Sequence, residues 1–180
     1  SDFCNANHPN RRNHPINCVS WQMAHEYCSA EGKKLPTEAQ WEYATRGPDG
    51  RLYPWGDEPP TPEHLNACGA ECVRWSDEHE QGLKSLYEDE GAGDAFMGTA
   101  PVGSFPAGDS RFGPSDVVGN VWEWVDDWMG DYTPGAKTNP DGPEDGEKRV
   151  IRGGAFNGAY ESWLHPSFRF AMMPDAQSHG

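Results

Sequence analysis

No stretch of this 180-residue sequence approaches the roughly 20 consecutive apolar residues of a membrane-spanning helix, so membrane insertion by that route is not expected. Basic residues are scarce: 14 Lys and Arg stand against 29 Asp and Glu, leaving a formal charge of −15. A surface of that sign repels phosphate backbones and anionic headgroups, which argues against nucleic acid and anionic membranes as partners. Cysteine is confined to Cys4, Cys18, Cys28, Cys68 and Cys72. No CxxC or paired-histidine spacing supplies further ligands for a zinc site. No GxSxG segment supports a serine nucleophile. No leader-like segment lies within the sequence, and any targeting segment is expected outside it.

Hydrophobic residues reach only 35%, yet eight Trp, seven Phe and six Tyr are present, so a few large rings must carry much of the burial. Gly (21) and Pro (16) are abundant without repeat or low complexity, which predicts long ordered loops around a small scaffold. The acidic balance is compatible with bound Ca2+, which prefers carboxylate and carbonyl oxygens. An odd cysteine count leaves at least one thiol free or paired outside this sequence. Cys68 and Cys72 are spaced for a small disulfide loop, with a metal site as the alternative. Disulfides favour an extracellular or periplasmic setting, or the extracytoplasmic part of a membrane protein.

Ser20 is a plausible N-cap for a helix carrying Trp21, Ala24, Tyr27 and Cys28 at helical spacing, and Gly32 stops it. Thr37 with Gln40 forms a capping box for a second helix that Gly47 ends. Trp41 and Ala44 share a face, so both helices are expected on a common core. Beyond Gly47 regular signals fade. APVGSF, NVWEWVDDW and KRVIRGGAF are the candidate strands, the second from its alternation around Val121 to Val125. No linker divides the chain, so residues 1–180 are expected to form one domain.

Seven segments then occur in one order: HPINCVSWQMAHEYC, KLPTEAQWEYATRG, YPWGDE, GTAPVGSFP, DVVGNVWEWVDDW, NPDGP and RVIRGG. Together, from about His14 to Gly154, they resemble the formylglycine-generating (sulfatase-modifying factor) family. The resemblance implies an α+β fold: a compact, loop-rich, C-type-lectin-like domain with two helices and short antiparallel strands. It further implies that part of the family's N-terminal region and its final GFRC-like strand lie outside this sequence, and that the chain is part of a larger one. Cys28 matches a family cysteine that pairs with that terminal strand. On that resemblance Cys4 and Cys18 remain as the other candidate disulfide.

The family holds two Ca2+ ions, and the resemblance carries both sites over. The first would use Asn66, Ala67, Asp94 and Phe96, the second Asp116, Gly119, Val121 and Glu123. Both are oxygen-only sets mixing side chain and backbone, in segments too irregular to satisfy themselves. Taken alone, Asp116 and Glu123 are ordinary turn and strand residues and Asp94 a loop cap.

The family's chemistry oxidises a substrate cysteine with a copper-binding cysteine pair, soft thiolates suiting a soft ion. The matching positions here are Gly158 and Trp163, so copper and formylglycine-generating activity are not expected. A soft N/S set from His165, His179, Met172 and Met173 is the substitute on offer, against plain packing of the methionines. The same segment is rich in recognition side chains, with Tyr160, Trp163, His165, Phe170 and Met173 as candidate ligand-binding residues. The expectation is a catalytically degenerate, calcium-stabilised binding module presenting this surface to a protein, peptide or glycan. The alternatives are an enzyme of altered, non-thiol oxidative chemistry, a variable ligand-binding protein of a diversity-generating retroelement, and a sensor domain of a larger protein. Met172, Met173 and Gln177 fit the retroelement reading poorly.

Overall fold

The computed structural model describes residues 3–180. Helix α1 (Trp21–Ala30) begins where Ser20 accepts a hydrogen bond from the Met23 amide. Helix α2 (Glu38–Arg46) begins with both halves of the Thr37/Gln40 capping box formed and ends at Gly47. Two further helices carry no side-chain cap: α3 (Ala70–Glu78) and the single turn α4 (Glu161–Leu164). Strands β1 (Glu123–Trp128), β2 (Arg149–Arg152) and β3 (Phe170–Met172) form one antiparallel sheet in the order β1-β2-β3. The architecture is the expected loop-rich α+β type, with two helices more than the sequence signals.

Helices α1 and α2 both pack on β1. The face of β1 turned inward carries Val125 and Asp127, both buried, and Val125 joins Trp41, Val117 and Val150 in one core cluster. A second cluster lies under the loops and gathers Leu65, Ala67, Tyr87, Val118 and Leu164. Arg149 sits between the rings of Trp21 and Trp128, its guanidinium 3.7 and 3.6 Å from their centroids.

Two sequence expectations need correction. APVGSF is a turn, closed by Ser104 Oγ donating to the Pro101 carbonyl; Pro101 and Pro106 cannot donate to a ladder. The apolar stripe of α1 is mostly outside the core: only Trp21 is buried, and Tyr27 is 70% exposed. A ten-residue helix at the margin of a small sheet offers one turn to the core, and Trp21 fills it by stacking on His25 and donating to the Val125 carbonyl.

A buried ion cluster ties α2, β2 and the C-terminal segment together. Arg152 is fully buried; it donates to Glu38 (2.9 Å), to Glu42 and to the Pro166 carbonyl (2.7 Å). Arg169 adds two bonds to the Glu38 carboxylate at 2.7 and 2.8 Å. The carboxylate thus answers two guanidinium groups. Removing it leaves Arg169 without a carboxylate and the buried Arg152 with Glu42 alone, close to the costly case of an unpaired buried charge. Glu38→Ala is expected to destabilise the fold by about 3–5 kcal/mol, read as a lower urea midpoint at unchanged m; an unchanged midpoint would contradict this role.

Candidate functional site

The residues assigned to the first cation site come together. Asp94 is buried; its Oδ1 accepts from the Phe96 amide at 2.9 Å, and its Oδ2 from the Ala67 amide (2.9 Å) and the Tyr87 hydroxyl (3.0 Å). Burial nevertheless pushes its pKa up to about 6, and the nearby Glu71 charge adds to the shift. Asn66 is 1% exposed; its amide group donates to the Gly98 carbonyl at 2.9 Å. Its Oδ1 has no partner.

That orphan belongs to a pattern. Among the described residues five buried side-chain polar atoms lack a hydrogen bond: Asn66 Oδ1, Glu71 Oε2, Asp109 Oδ1, Arg149 Nε and Arg152 Nε. All three oxygens lie in or beside the two proposed cation loops. The charges of Glu71 and Asp109 are felt at Asp94 and Asp116 respectively. Buried oxygens without donors are costly in a protein and are what a hard cation accepts. No group of three or more His, Cys, Asp and Glu gathers among the described residues, so any ion here relies on amide and carbonyl oxygens as well.

The second set lies on the turn entering β1. Asp116, Gly119 and Asn120 adopt φ of 55, 81 and 61°, and Ala95 in the first loop 73°. Left-handed backbone at non-glycine residues marks constrained segments. Asp116 Oδ2 accepts from the Gly103 amide at 2.6 Å, and Trp41 Nε1 donates to Glu123 Oε2. Burial raises the pKa of both carboxyls; for Glu123, burial with the added charge of Asp116 brings it to about 7. Asp116, Val121 and Glu123 line one open recess with Pro15, Val102 and Asn120.

The two loops are locked to each other. Asn120 donates its amide to the Asn66 carbonyl at 2.9 Å and accepts from the Ala100 amide at 3.0 Å. A Cβ on Gly119 would lie 2.5 Å from the Asn66 carbonyl oxygen, so only glycine fits.

The C-terminal candidates divide. Gly158 is buried and bonded through its carbonyl to the Cys68 amide (3.3 Å). A Cβ there would meet the Ala155 carbonyl at 2.9 Å and Leu164 at 3.2 Å, so this loop has no room for a thiol as it stands. Trp163 is 40% and Tyr160 60% exposed, with ring centroids 4.8 Å apart. Phe170, also exposed, packs on Trp122 instead, and no ring contact among the described residues joins it to the Tyr160/Trp163 pair. Met173 is exposed after β3. His165 stands edge-on to Tyr53 and 2.6 Å from the Ser167 hydroxyl; desolvation lowers its pKa, so the ring is neutral near pH 7. Sequence reading missed Tyr87, Glu71 and the Tyr53–Glu161 hydrogen bond (2.6 Å). The helix carrying Glu71 has a glycine N-cap and so no start signal.

Cys4 pairs with Cys18 and Cys68 with Cys72, while Cys28 is free. No helix among the described residues is long and apolar enough to cross a membrane.

Residues 2–179 match the sulfatase-modifying factor enzyme 1-like domain. The chain belongs to the sulfatase-modifying factor family. It is 42% identical over 149 residues to the formylglycine-generating enzyme of Mus musculus, covering 81% of this chain and 36% of that one. It is 32% identical over 169 residues to the inactive C-alpha-formylglycine-generating enzyme 2 of the same organism, covering 91% of this chain and 46% of that one. The chain thus spans less than half the length of these relatives. In structure it resembles Treponema denticola variable protein 1, with a TM-score of 0.69 at 18% identity over 97% of this chain and 71% of that one. That likeness shows the fold alone. The family's C-type-lectin-like architecture is therefore the setting in which both candidate loops must be judged.

The raised carboxyls give this domain a pH signature. Asp94 and Glu123 titrate at 3.8 and 4.5 when unfolded but near 6 and 7 when folded. In that window the native state holds the extra protons, so stability is present at the acid end and is lost as pH rises through the folded values. In chelating buffer the contribution of these groups should raise Tm at about pH 5 relative to about pH 7.5. Asp94→Asn with Glu123→Gln should flatten that slope; a double variant with the parental slope would contradict the assignment.

Proposed function

We propose that this member of the sulfatase-modifying factor family is a catalytically degenerate binding module, held together by two Ca2+ ions and exposing an aromatic surface to a protein, peptide or glycan. The observation that carries the loss of thiol chemistry is the pair of positions where the family resemblance puts cysteines. Gly158 is packed too tightly to accept a Cβ, and Trp163 turns an indole to solvent beside Tyr160. An exposed Trp–Tyr pair is the composition of a recognition anchor. The likeness to a relative named inactive supports the same reading.

Asn66 and Asp94 with the carbonyls of Ala67 and Phe96 would hold one ion. Asp116 and Glu123 with the carbonyls of Gly119 and Val121 would hold the other. The ions would supply positive charge to oxygens that lack donors and perform no chemical step. The two disulfides support an extracellular or periplasmic setting. A second reading, a retuned enzyme, draws on one observation: the His165/Ser167 and Tyr53/Glu161 pairs line a common recess of about 640 Å3.

Three measurements test the proposal. Saturating Ca2+ is expected to raise Tm, with about 2.7 kcal/mol of stabilisation at a hundredfold excess over Kd; equal melts in calcium and chelator would sink the cation sites. Incubation with a cysteine-containing sulfatase-type peptide, with and without Cu(I), is expected to give no aldehyde. Capture from native extract in calcium should yield a partner that a Tyr160→Ala/Trp163→Ala variant loses. Aldehyde formation, or equal capture by both proteins, would shift the reading to the enzyme.

A further inference from the structure

Helix α3 opens four residues after Asn66 and lies against the loop that carries Asp94. The Ala70 amide donates to the Ala92 carbonyl at 2.9 Å, and a Cβ on Gly69 would sit 3.0 Å from the Gly93 Cα. Glu71, in the first turn, reaches over the same glycine: the place a Gly93 Cβ would take is 2.0 Å from Glu71 Oε2 and 2.3 Å from Oε1. Gly93 directly precedes Asp94. Two carboxylates therefore approach one loop.

Two backbone amides and a hydroxyl answer Asp94. Among the described residues, however, no cation forms a salt bridge with Glu71, and its Oε2 is buried without a hydrogen bond. The Asn66 Oδ1, on a side chain 1% exposed, is likewise unpartnered. The ordinary role of a first-turn glutamate is to complement the helix dipole, which an exposed carboxylate does without burying an oxygen. Two unsatisfied oxygens and a second like charge converging on one loop point to a missing positive charge.

We propose that Glu71 supplies a second carboxylate to the cation site of Asn66 and Asp94, outside the ligand set the family resemblance implies. Its charge raises the affinity of that site for Ca2+, since affinity for hard cations follows the number of charged oxygens. The inference rests on the calcium reading and can fail separately from it.

The test titrates the 180-residue chain with Ca2+ against a competing chelator, comparing the parent with Glu71→Gln and with Asp77→Asn. Asp77 is an exposed acid on the same helix, so its variant controls for net charge. Glu71→Gln is expected to weaken one of two sites by roughly tenfold or more, with Asp77→Asn at parental affinity. In chelator Glu71→Gln should melt at or above the parent and in calcium below it, an inversion that a purely structural glutamate would not produce. Equal affinities for parent and Glu71→Gln overturn the inference, as does equal weakening by both variants. A parent that binds no Ca2+ overturns the calcium reading and this inference with it.

Discussion

A chain with this little regular structure must find partners for its buried amides and carbonyls one loop at a time. Here short polar side chains supply them. Asn120 bridges the loops at residues 66, 100 and 156. Asn5 and Asn17 tie the N-terminal segment to Pro15, Thr99 and His179, and Asp127 caps α2 by accepting from the Glu38 amide at 2.6 Å. Satisfying donors in this way requires buried acceptors. Where acceptors outnumber donors, as at Asn66, Glu71 and Asp109, a buried oxygen is left without a hydrogen bond, and the proposed cations would answer that need.

The same economy shapes the C-terminal segment. Gly153 and Gly154 take left-handed φ of 92 and 77°, and a Cβ on either would strike Val117 O or Leu164. The chain can therefore turn sharply after β2 and lay residues 155–158 against Leu164 and Cys68. Close packing on the inner side leaves the turn from Tyr160 to Trp163 facing outward. On the proposed reading, a position that serves chemistry elsewhere in the family would become available for recognition, since function resides in sites rather than folds.

Legibility from sequence followed the physics of each element. α2 was readable to its ends because a capping box and a C-terminal glycine are local signals, and β1 because its alternation is set by one buried face. The candidate cation loops are proposed only through family resemblance, since D…G…E spacing alone is an ordinary turn. α3 was not readable: its N-cap is Gly69, and just Cys72 and Ser76 on it are buried. β3 spans three half-exposed residues and exists because β2 offers it an edge. Residues that meet another segment, Glu71 over Gly93 and Tyr87 at the Leu65 carbonyl, leave no trace in local pattern.

Hydrogen exchange with and without Ca2+ tests the central claim most directly, because it reports which backbone the ion closes. The account predicts that calcium slows exchange in the segments 64–72, 92–100 and 115–123 and leaves α1, α2 and the β2–β3 ladder unchanged. Protection that is absent, or that falls on the helices rather than on these loops, would contradict it.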